Sequence, residues 1–420
     1  TKYRQRAPLF DPRWDSRTPA AVARVLGSAD VAACVEFAKE HGLKVTARSG
    51  GHSYTGASAR NGALVIDTRA LTSISVASDG SAARVGPGTH LYSVYSTLSE
   101  RSVTIPGGTC PTVGISGLTL AGGLGVDSRQ TGLTADHLVQ ATVVDGSGSV
   151  RRVDADTDPD LYWALRGGGA GIGIVTSLKY ATMSAPKRGF FSLSFSGSRA
   201  VRVVKRWGTW IAEQPRDTWA NATVNSSGGT LSARVFGVCP AGKEDARAAS
   251  LRKIMGITPT ASSTTTRPYL DGVAYLGGGS TTDRTRFVAG SDILQTVTTE
   301  ASEAIEEAMR SVPSGVSASA ILDPLDAGIS DTPVGGTAFP WRDHAASVQW
   351  YVGMPTSPSS SQYATARSWV QEAHDLLDGH TSGGYFGYIE SGRTSREYAG
   401  DNTDRLVEVR KTYDPEGVIV

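Results

Sequence analysis

The chain has 420 residues, of which 39% are hydrophobic, 19% are charged and 49 are glycines, and its net charge at pH 7 is +1. This length exceeds what one ordinary hydrophobic core accommodates and predicts two domains. The near-neutral charge excludes a polybasic surface for nucleic acid or a membrane, and no apolar run reaches the roughly 20 residues that span a bilayer.

The cysteines are few and widely spaced. Cys34, Cys110 and Cys239 are an odd number without a C-x-x-C spacing, which argues against a disulfide framework and leaves the redox compartment open. Residue 1 is threonine and no signal-peptide pattern follows it, so we expect a soluble protein, either cytoplasmic or secreted after loss of a leader. The sequence does not predict an oligomeric state.

The first 185 residues alternate between helical and strand patterns. A helix is predicted over residues 28–42, because Ser28 suits an N-cap, apolar residues recur at i, i+3, i+4 and i+7 from Val31, and Gly42 suits the C-terminal stop. Strand patterns follow at residues 44–48 and 64–67, a second helical pattern at 91–98, and a hairpin at 141–153. This alternation is typical of an α/β domain.

From about residue 190 the pattern changes. The predicted helices cover residues 201–211, 300–312 and 364–377, and the predicted strands cover residues 230–238 and 347–353. Two Ser- and Thr-rich stretches, residues 261–266 and 355–362, are predicted to be surface loops. We therefore expect a second domain of the α+β class.

Familiar catalytic and nucleotide motifs are absent from the sequence. It contains no G-x-G-x-x-G, G-x-x-x-x-G-K-[ST], H-E-x-x-H or G-x-S-x-G, so a nicotinamide Rossmann site, a P-loop, a helical zinc protease and a nucleophile elbow all lack their usual signs. Asp136 with His137, and His374 with His380, leave a dispersed metal site open, with ordinary surface histidines as the alternative. We predict no metal site.

Glycine-rich turns are the most informative feature. They occur at residues 50–51, 107–108, 114–125 and 167–173, and two of these segments carry a potential nucleophile, His52 in the first and Cys110 beside the second. Glycine lets the backbone approach a ligand closely, and backbone N–H groups in such turns form concavities that bind anions such as a pyrophosphate. The alternative is a chain that simply uses many tight turns. Two such segments in one chain predict a cofactor held at two points.

These segments resemble the bicovalently flavinylated oxidases of the berberine bridge enzyme group, within the vanillyl-alcohol oxidase (PCMH-type) flavoprotein superfamily. The matching text is RSGGHS at 48–53, PGGTCPTVG at 106–114, GGLG at 122–125, SR at 128–129, GLTAD at 132–136, DLYWALRGGG at 160–169, GIVT at 173–176, YAGDN at 398–402 and YDP at 413–415. The motifs follow the family's order along nearly the whole chain.

The resemblance implies an α+β fold with two domains. Residues 1–185, completed by residues 381–420, would form a PCMH-type FAD-binding domain of two subdomains. Residues 186–380 would form a substrate-binding domain in which helices cover an antiparallel sheet. FAD would be attached covalently, with His52 on its 8α-methyl group and Cys110 on C6 of the isoalloxazine. Imidazole and thiolate are the side chains suited to such addition, and two tethers would raise the flavin's potential.

The resemblance also implies contacts to the cofactor from other positions. These are Arg48, Ser49, Gly50, Gly51, Ser53, Pro106, Gly107, Gly108, Thr109, Val113, Gly114, Gly117, Gly122, Gly123, Gly125, Gly173, Ile174, Val175, Tyr388 and Asn402. In the family, a small residue at the position of Val113 accompanies access of oxygen to the flavin, so Val113 favours an oxidase over a dehydrogenase, with ordinary packing as the alternative.

Candidate substrate contacts lie in the last third of the chain. Sugar-oxidising relatives carry a Y-x-N-Y pattern where this chain has Tyr385-Phe386-Gly387-Tyr388, so the asparagine is replaced by Gly387. Tyr385 is the predicted catalytic base, although a tyrosine with an ordinary pKa near 10 would need that pKa lowered. Strand alternation places Gln349 and Tyr351 on one face, where they would contact substrate, or else pack in a core.

Three functions follow from these residues. The leading hypothesis is an FAD-dependent oxidase that converts the hydroxyl of a sugar, glycoside or natural-product alcohol to a carbonyl and reduces O₂ to hydrogen peroxide. The second is a flavin-dependent oxidative cyclase or oxygenase in natural-product biosynthesis. The third is a flavin-binding protein without catalysis, against which the intact motifs argue. Its expected partners are a small-molecule substrate and O₂, with no nucleic acid and no membrane.

Overall fold

The computed structural model describes residues 8–277 and 284–420. Within them lie seventeen strands: β1 (Ala21–Arg24), β2 (Val45–Arg48), β3 (Leu64–Asp67), β4 (Ile74–Val76), β5 (Ala82–Val85), β6 (Val103–Thr104), β7 (Leu138–Val144), β8 (Val150–Val153), β9 (Ile174–Ala181), β10 (Met183–Ser184), β11 (Arg188–Ser196), β12 (Trp219–Ser227), β13 (Thr230–Pro240), β14 (Ala261–Arg267), β15 (Phe287–Leu294), β16 (Ser317–Pro324) and β17 (Ala346–Gly353).

The same described ranges contain twelve α-helices: α1 (Ser28–Glu40), α2 (Leu91–Ser99), α3 (Ile115–Ala121), α4 (Ser128–Thr131), α5 (Pro159–Ala164), α6 (Val203–Ala212), α7 (Glu244–Met255), α8 (Tyr269–Leu276), α9 (Thr299–Arg310), α10 (Ser360–Leu376), α11 (Ser395–Ala399) and α12 (Thr403–Tyr413). The helices and the separate, largely antiparallel sheets together define an α+β protein, as predicted. In the part of the chain that the structure describes, no helix is both long and apolar enough to cross a membrane.

A small parallel sheet, in the order β1-β3-β2, begins the fold. Helix α1 packs Val31, Val35 and Ala38 into the core of this sheet, so the apolar stripe predicted for residues 28–42 is confirmed. The predicted cap is wrong by one residue. Gly27 is the N-cap, and the hydroxyl of Ser28, the first helical residue, bonds the hydroxyl of Thr176 at 2.7 Å instead.

The second sheet has five antiparallel strands in the order β4-β5-β9-β7-β8. Its predicted hairpin is confirmed, since β7 and β8 pair with Val144 opposite Val150. The prediction of an α/β domain is wrong for this sheet, because its strands are all antiparallel. Tight turns and hairpins join antiparallel strands, and sequence alternation alone does not reveal which strands will pair.

The C-terminal segment returns to these first sheets. Leu406 and Val409 of α12 lie in the core that covers the five-stranded sheet, and Ile419 forms a parallel bridge to Val45 of β2. The step from β9 and β10 to β11 carries the chain from this region into a third sheet. The division into residues 1–185 with 381–420 and residues 186–380 stays a prediction, and it coincides with this step.

The third sheet has seven antiparallel strands in the order β14-β11-β13-β12-β16-β17-β15. Helices α6, α7, α9 and α10 cover one of its faces and bury a core that includes Trp207, Trp350 and Trp369. Because successive side chains of a strand point to opposite faces, the remaining side chains of these strands face the glycine turns of the first half. The candidate site lies between the two.

One predicted loop is a strand. Residues 261–266, expected to be a surface loop because they are rich in Ser and Thr, form the edge strand β14, in which Thr264 pairs with Phe191. Threonine is β-branched and fits an exposed strand well, so its polarity alone was a poor sign of a loop. The second predicted loop, residues 355–362, ends in α10, which begins at Ser360.

Candidate active site

A cleft of about 760 Å³ lies between the glycine turns and the uncovered face of the seven-stranded sheet. Its volume falls within the range of sites that hold cofactors and small molecules. One wall carries His52 and Cys110, and the opposite wall carries side chains from β12, β15, β16 and β17. The cleft therefore brings together reactive and polar side chains from the first and last thirds of the sequence.

The turns at residues 50 and 114 are packed backbone against backbone. A Cβ on Gly50 would lie 2.4 Å from the Gly114 nitrogen, and a Cβ on Gly114 would lie 2.0 Å from the Ser49 Oγ. No larger residue fits either position without moving backbone. This close approach is what places His52 and Cys110, which are far apart in sequence, on the same wall.

The imidazole of His52 is fixed from two directions. Its Nε2 lies 2.8 Å from the Thr112 Oγ1, and Phe10 stacks on the ring with centroids 4.0 Å apart. Burial, with the nearby His90, lowers the pKa of His52 to about 3. The ring is therefore neutral at physiological pH, and a nitrogen lone pair is available.

The thiol of Cys110 lines the same wall. Burial raises its pKa, while hydrogen bonds from Thr112 and from the Val113 backbone act in the opposite direction. All three cysteines of the chain are free, and Cys239 is fully buried on β13, away from the cleft. Cys110 is thus the cysteine that could react with a ligand in the cleft.

Most of the residues predicted to bind the cofactor reach the cleft. The lining positions are Ser49, Gly50, Gly51, His52, Ser53, Gly108, Thr109, Cys110, Val113, Gly114, Gly117, Gly125, Gly173, Ile174, Val175 and Tyr388. At Gly117 an added Cβ would meet nothing within 4 Å. The backbone there is open to a ligand that approaches it closely.

Six predicted contacts are not among the residues that line the cleft, and their contact with the cofactor stays a prediction: Arg48, Pro106, Gly107, Gly122, Gly123 and Asn402. Arg48 is buried and donates to the carbonyl of Pro8 at 2.7 Å. The Asn402 amide donates to the carbonyls of residues 337 and 338. The side chains of Arg48 and Asn402 therefore bond to the protein's own backbone.

Tyr385 lies in the cleft wall with its hydroxyl already engaged. The oxygen accepts hydrogen bonds from the backbone N–H groups of Gly123 at 3.1 Å and Leu124 at 3.4 Å. Burial raises the pKa of Tyr385 to about 12, against the lowering effect of those two donors. A Cβ on Gly387 would lie 2.3 Å from the Tyr385 Cε1. Gly387 stands where the sugar-oxidising relatives are expected to carry asparagine, and a larger residue there would displace the buried ring of Tyr385.

Gln349 and Tyr351 face the cleft, and Trp350 between them lies in the opposite core, as strand alternation predicts. The Gln349 amide donates to the hydroxyl of Tyr54 at 2.6 Å, and Tyr54 in turn stacks on Tyr388 with centroids 5.7 Å apart. This pairing fixes the Gln349 side chain. Tyr54, which sequence reasoning missed, connects the first glycine turn to the substrate wall.

Asp323 of β16 is the other residue that sequence reasoning missed. It lines the cleft, and no neighbouring group in the described residues is among the causes of its pKa shift. Burial raises its pKa to about 6, and its charge contributes to the raised pKa values of Tyr385 and Tyr388. The available signal was an acidic residue in a strand whose other residues are mostly small or apolar. Burial of an acid costs free energy, and such residues cluster at functional sites.

The histidines considered as metal ligands have other partners. His137 bonds the carbonyls of Thr131 and Ala181, and His374 bonds the carboxylates of Asp292 and Glu390. Within the described residues, no group of three or more His, Cys, Asp and Glu side chains has the geometry of a metal site.

Residues 19–154 match the protein family described as FAD binding domain. The uncharacterized FAD-linked oxidoreductase YgaK of Bacillus subtilis is 29% identical over 417 residues, covering 96% of this chain and 90% of its own. The xylooligosaccharide oxidase of Thermothelomyces thermophilus is 27% identical over 442 residues, covering 99% and 88%. Fold and site therefore define an FAD-linked oxidoreductase.

A solved structure is similar over nearly the whole chain. The glucooligosaccharide oxidase of Acremonium strictum, described with a 6-S-cysteinyl, 8α-N1-histidyl FAD, superposes with a TM-score of 0.86 at 25% identity, covering 98% of this chain and 92% of that one. Over nearly its whole length the chain is therefore similar in sequence and fold to FAD-linked oligosaccharide oxidases.

The residues present fit FAD. The cleft offers a neutral imidazole and a thiol on one wall, and backbone at Gly117 to which a flat ring or a phosphate could come close. Glycine-rich turns supply the N–H groups that a pyrophosphate requires. The residues of the cleft are therefore suited to hold FAD.

Proposed function

We propose that this protein is an oxidase that uses FAD and O₂ to convert a sugar or glycoside hydroxyl to a carbonyl, with release of hydrogen peroxide. The observation that supports it is the cleft itself, in which the wall carrying His52 and Cys110 faces a wall carrying Asp323, Gln349 and Tyr351. The names of the relatives, which include xylooligosaccharide and glucooligosaccharide oxidases, support a carbohydrate hydroxyl as the reacting group.

FAD would be held by His52 and Cys110 together. The neutral imidazole supplies a lone pair, and the thiol lies on the same wall. When bound, the flavin supplies hydride acceptance and transfer of the electrons to O₂. The protein purified from cells should stay yellow after denaturation, and its mass should exceed that of the chain by one FAD. A colourless precipitate would contradict the attachment.

Removal of the substrate's hydroxyl proton requires a base on the substrate wall. Asp323 has a pKa of about 6 and is therefore mostly ionised at neutral pH, whereas Tyr385 has its pKa raised to about 12. A base works best when its pKa lies near the working pH. We propose that Asp323 accepts the proton, directly or through a neighbouring hydroxyl. Tyr385 stays a predicted catalytic residue that would orient the substrate or relay this proton.

The substrate would be oriented by the polar side chains on the same wall. Gln349 is held by Tyr54, and Tyr351 stacks on Phe287 with centroids 5.3 Å apart, so both present fixed groups. Fixed donors and acceptors hold a hydroxyl close to the reacting position without losing side-chain entropy at binding.

A panel of sugars, glycosides and other alcohols, followed by peroxide release and by mass analysis of the product, tests this function. We expect peroxide and a product two hydrogens lighter than the substrate. Asp323→Asn should lower kcat/KM by a factor of about 10²–10⁴, the usual contribution of a general base, and Tyr385→Phe should lower it less. Turnover of Asp323→Asn at the wild-type rate would remove it as the base. A ring-closed product in place of a carbonyl would instead support the oxidative cyclase.

A further inference from the structure

One side chain behind the cleft wall contacts both candidate attachment residues. The hydroxyl of Thr112 lies 2.8 Å from the His52 Nε2, and a hydrogen bond joins the same hydroxyl to the Cys110 thiol. Thr112 itself does not line the cleft. It therefore acts on the two residues from the side away from the ligand.

The turn that carries Thr112 is held rigidly. The Val113 N–H donates to the Cys110 carbonyl at 3.3 Å and closes the turn. A Cβ on Gly50 would lie 2.7 Å from the Thr112 carbonyl, so the backbone of the first glycine turn is packed directly on this residue. The Thr112 hydroxyl is thus a fixed partner for the imidazole.

This contact distinguishes the two ring nitrogens of His52. A neutral imidazole carries one N–H and one lone pair. Nε2 meets the Thr112 hydroxyl at 2.8 Å, so Nδ1 is the ring nitrogen that this contact leaves available. Phe10, stacked on the ring at an interplanar angle of 19°, prevents a rotation that would exchange the nitrogens.

We propose that Thr112 is a positioning residue for cofactor attachment: its hydroxyl holds Nε2–H of His52, so that Nδ1 becomes the atom bonded to the flavin, and it orients the Cys110 thiol beside it. The proposal rests on the attachment through His52 and Cys110 proposed above. Thr112 touches neither the cofactor nor the substrate and acts through the two side chains that do.

Each attachment replaces one C–H bond of the flavin with a bond to the protein. At the imidazole, one N–C bond forms at Nδ1, one C–H bond of the 8α-methyl group breaks and the proton on Nε2 leaves. At Cys110, one S–C bond forms, one C–H bond breaks and the thiol proton leaves. Each attachment releases two electrons and two protons, which reduce one molecule of O₂ to hydrogen peroxide. Thr112 keeps its own proton and makes no bond to the cofactor.

Two substitutions distinguish the effect of the Thr112 hydroxyl from the effect of the side-chain volume. Thr112→Val removes the hydroxyl and keeps the shape, and Thr112→Ser keeps the hydroxyl. Both are made in a Cys110→Ala background, so that the histidyl bond is the only covalent link. Cells are harvested soon after induction, and mass spectrometry of the denatured protein and of its His52 peptide gives the fraction of chains that carry flavin. Loss of one hydrogen bond should lower this fraction about tenfold in Thr112→Val, with Thr112→Ser close to the parent.

The identity of the bonded nitrogen gives a second measurement. NMR of the flavin-bearing peptide from the wild-type chain should show attachment at Nδ1. Attachment at Nε2 would overturn the proposal, as would equal flavin fractions in the parent and in Thr112→Val, or equal losses in the Val and Ser variants. Peroxide release from substrate is measured separately on the wild-type protein, so a failure of the proposed oxidase function is distinguishable from a failure here.

Discussion

A buried charge cluster behind the substrate wall gives a prediction that does not depend on the cofactor. The His374 Nδ1 lies 2.7 Å from the Asp292 Oδ2, and its Nε2 lies 3.2 Å from the Glu390 Oε2. Arg393 lies within 3.6 Å of both carboxylates. The Trp350 indole donates to Asp292 at 2.7 Å. With His374 protonated, the two positive and two negative charges cancel.

The magnitude follows from the pKa of His374. Burial disfavours the charged ring, but hydrogen bonds to Asp292 and Glu390 and their negative charges outweigh it and raise the pKa from 6.5 to about 9. A histidine whose folded pKa is raised contributes stability that is fully present below about pH 6.5 and is lost as the pH rises through about 9. At 1.36 kcal/mol for each unit of pKa shift, the contribution is about 3 kcal/mol. In a domain of some 200 residues this corresponds to roughly 6–12 °C in Tm.

The assay compares thermal unfolding of the wild type and of His374→Gln at pH 6 and pH 10, followed by tryptophan fluorescence. We expect the Tm of the wild type to exceed that of the variant by several degrees at pH 6, and the difference to disappear by pH 10. His380→Gln, at an exposed position six residues further on, is the matched control and should follow the wild type at both pH values. A difference in Tm between wild type and His374→Gln that is the same at both pH values would refute the reasoning.

Three further predictions test other parts of the structure. Buried Arg129 donates to four backbone carbonyls and to an aspartate. Arg129→Met should therefore lower the free energy of unfolding by about 3–5 kcal/mol, measured as a lower denaturation midpoint. Arg152→Met, at an exposed position, is the control and should leave the midpoint unchanged. Cys110→Ala should retain flavin through a single histidyl bond, and complete loss of covalent flavin in denatured samples would contradict two independent attachments. The pH profile of kcat/KM should fall below about pH 6, where Asp323 becomes protonated, and an Asp323→Asn profile that keeps this limb would show that another group titrates there.

Local patterns were sufficient for several features. The stripe of α1, the hairpin of β7 and β8 and the alternation in β17 all depend on neighbouring residues, and the structure has each of them. The glycine turns were recognisable for the same reason, because a close approach of two backbones requires glycine whatever surrounds it. His52 and Cys110 could therefore be singled out as the centre of the site before any fold was known.

Other features depend on segments that meet only in the folded chain. Thr112 reaches His52 across 60 residues, and the Tyr385 hydroxyl meets the Gly123 N–H across 262 residues. Apart from its being an acid in a mostly apolar strand, nothing near Asp323 in the sequence reveals that it faces a cleft or that burial raises its pKa to about 6. The sequence by itself determined the glycine turns and the two candidate attachment residues, since motif and backbone requirements are local. Only the tertiary structure decided how each of them is oriented, hydrogen-bonded and charged, because desolvation and contact geometry arise from packing between distant parts of the chain.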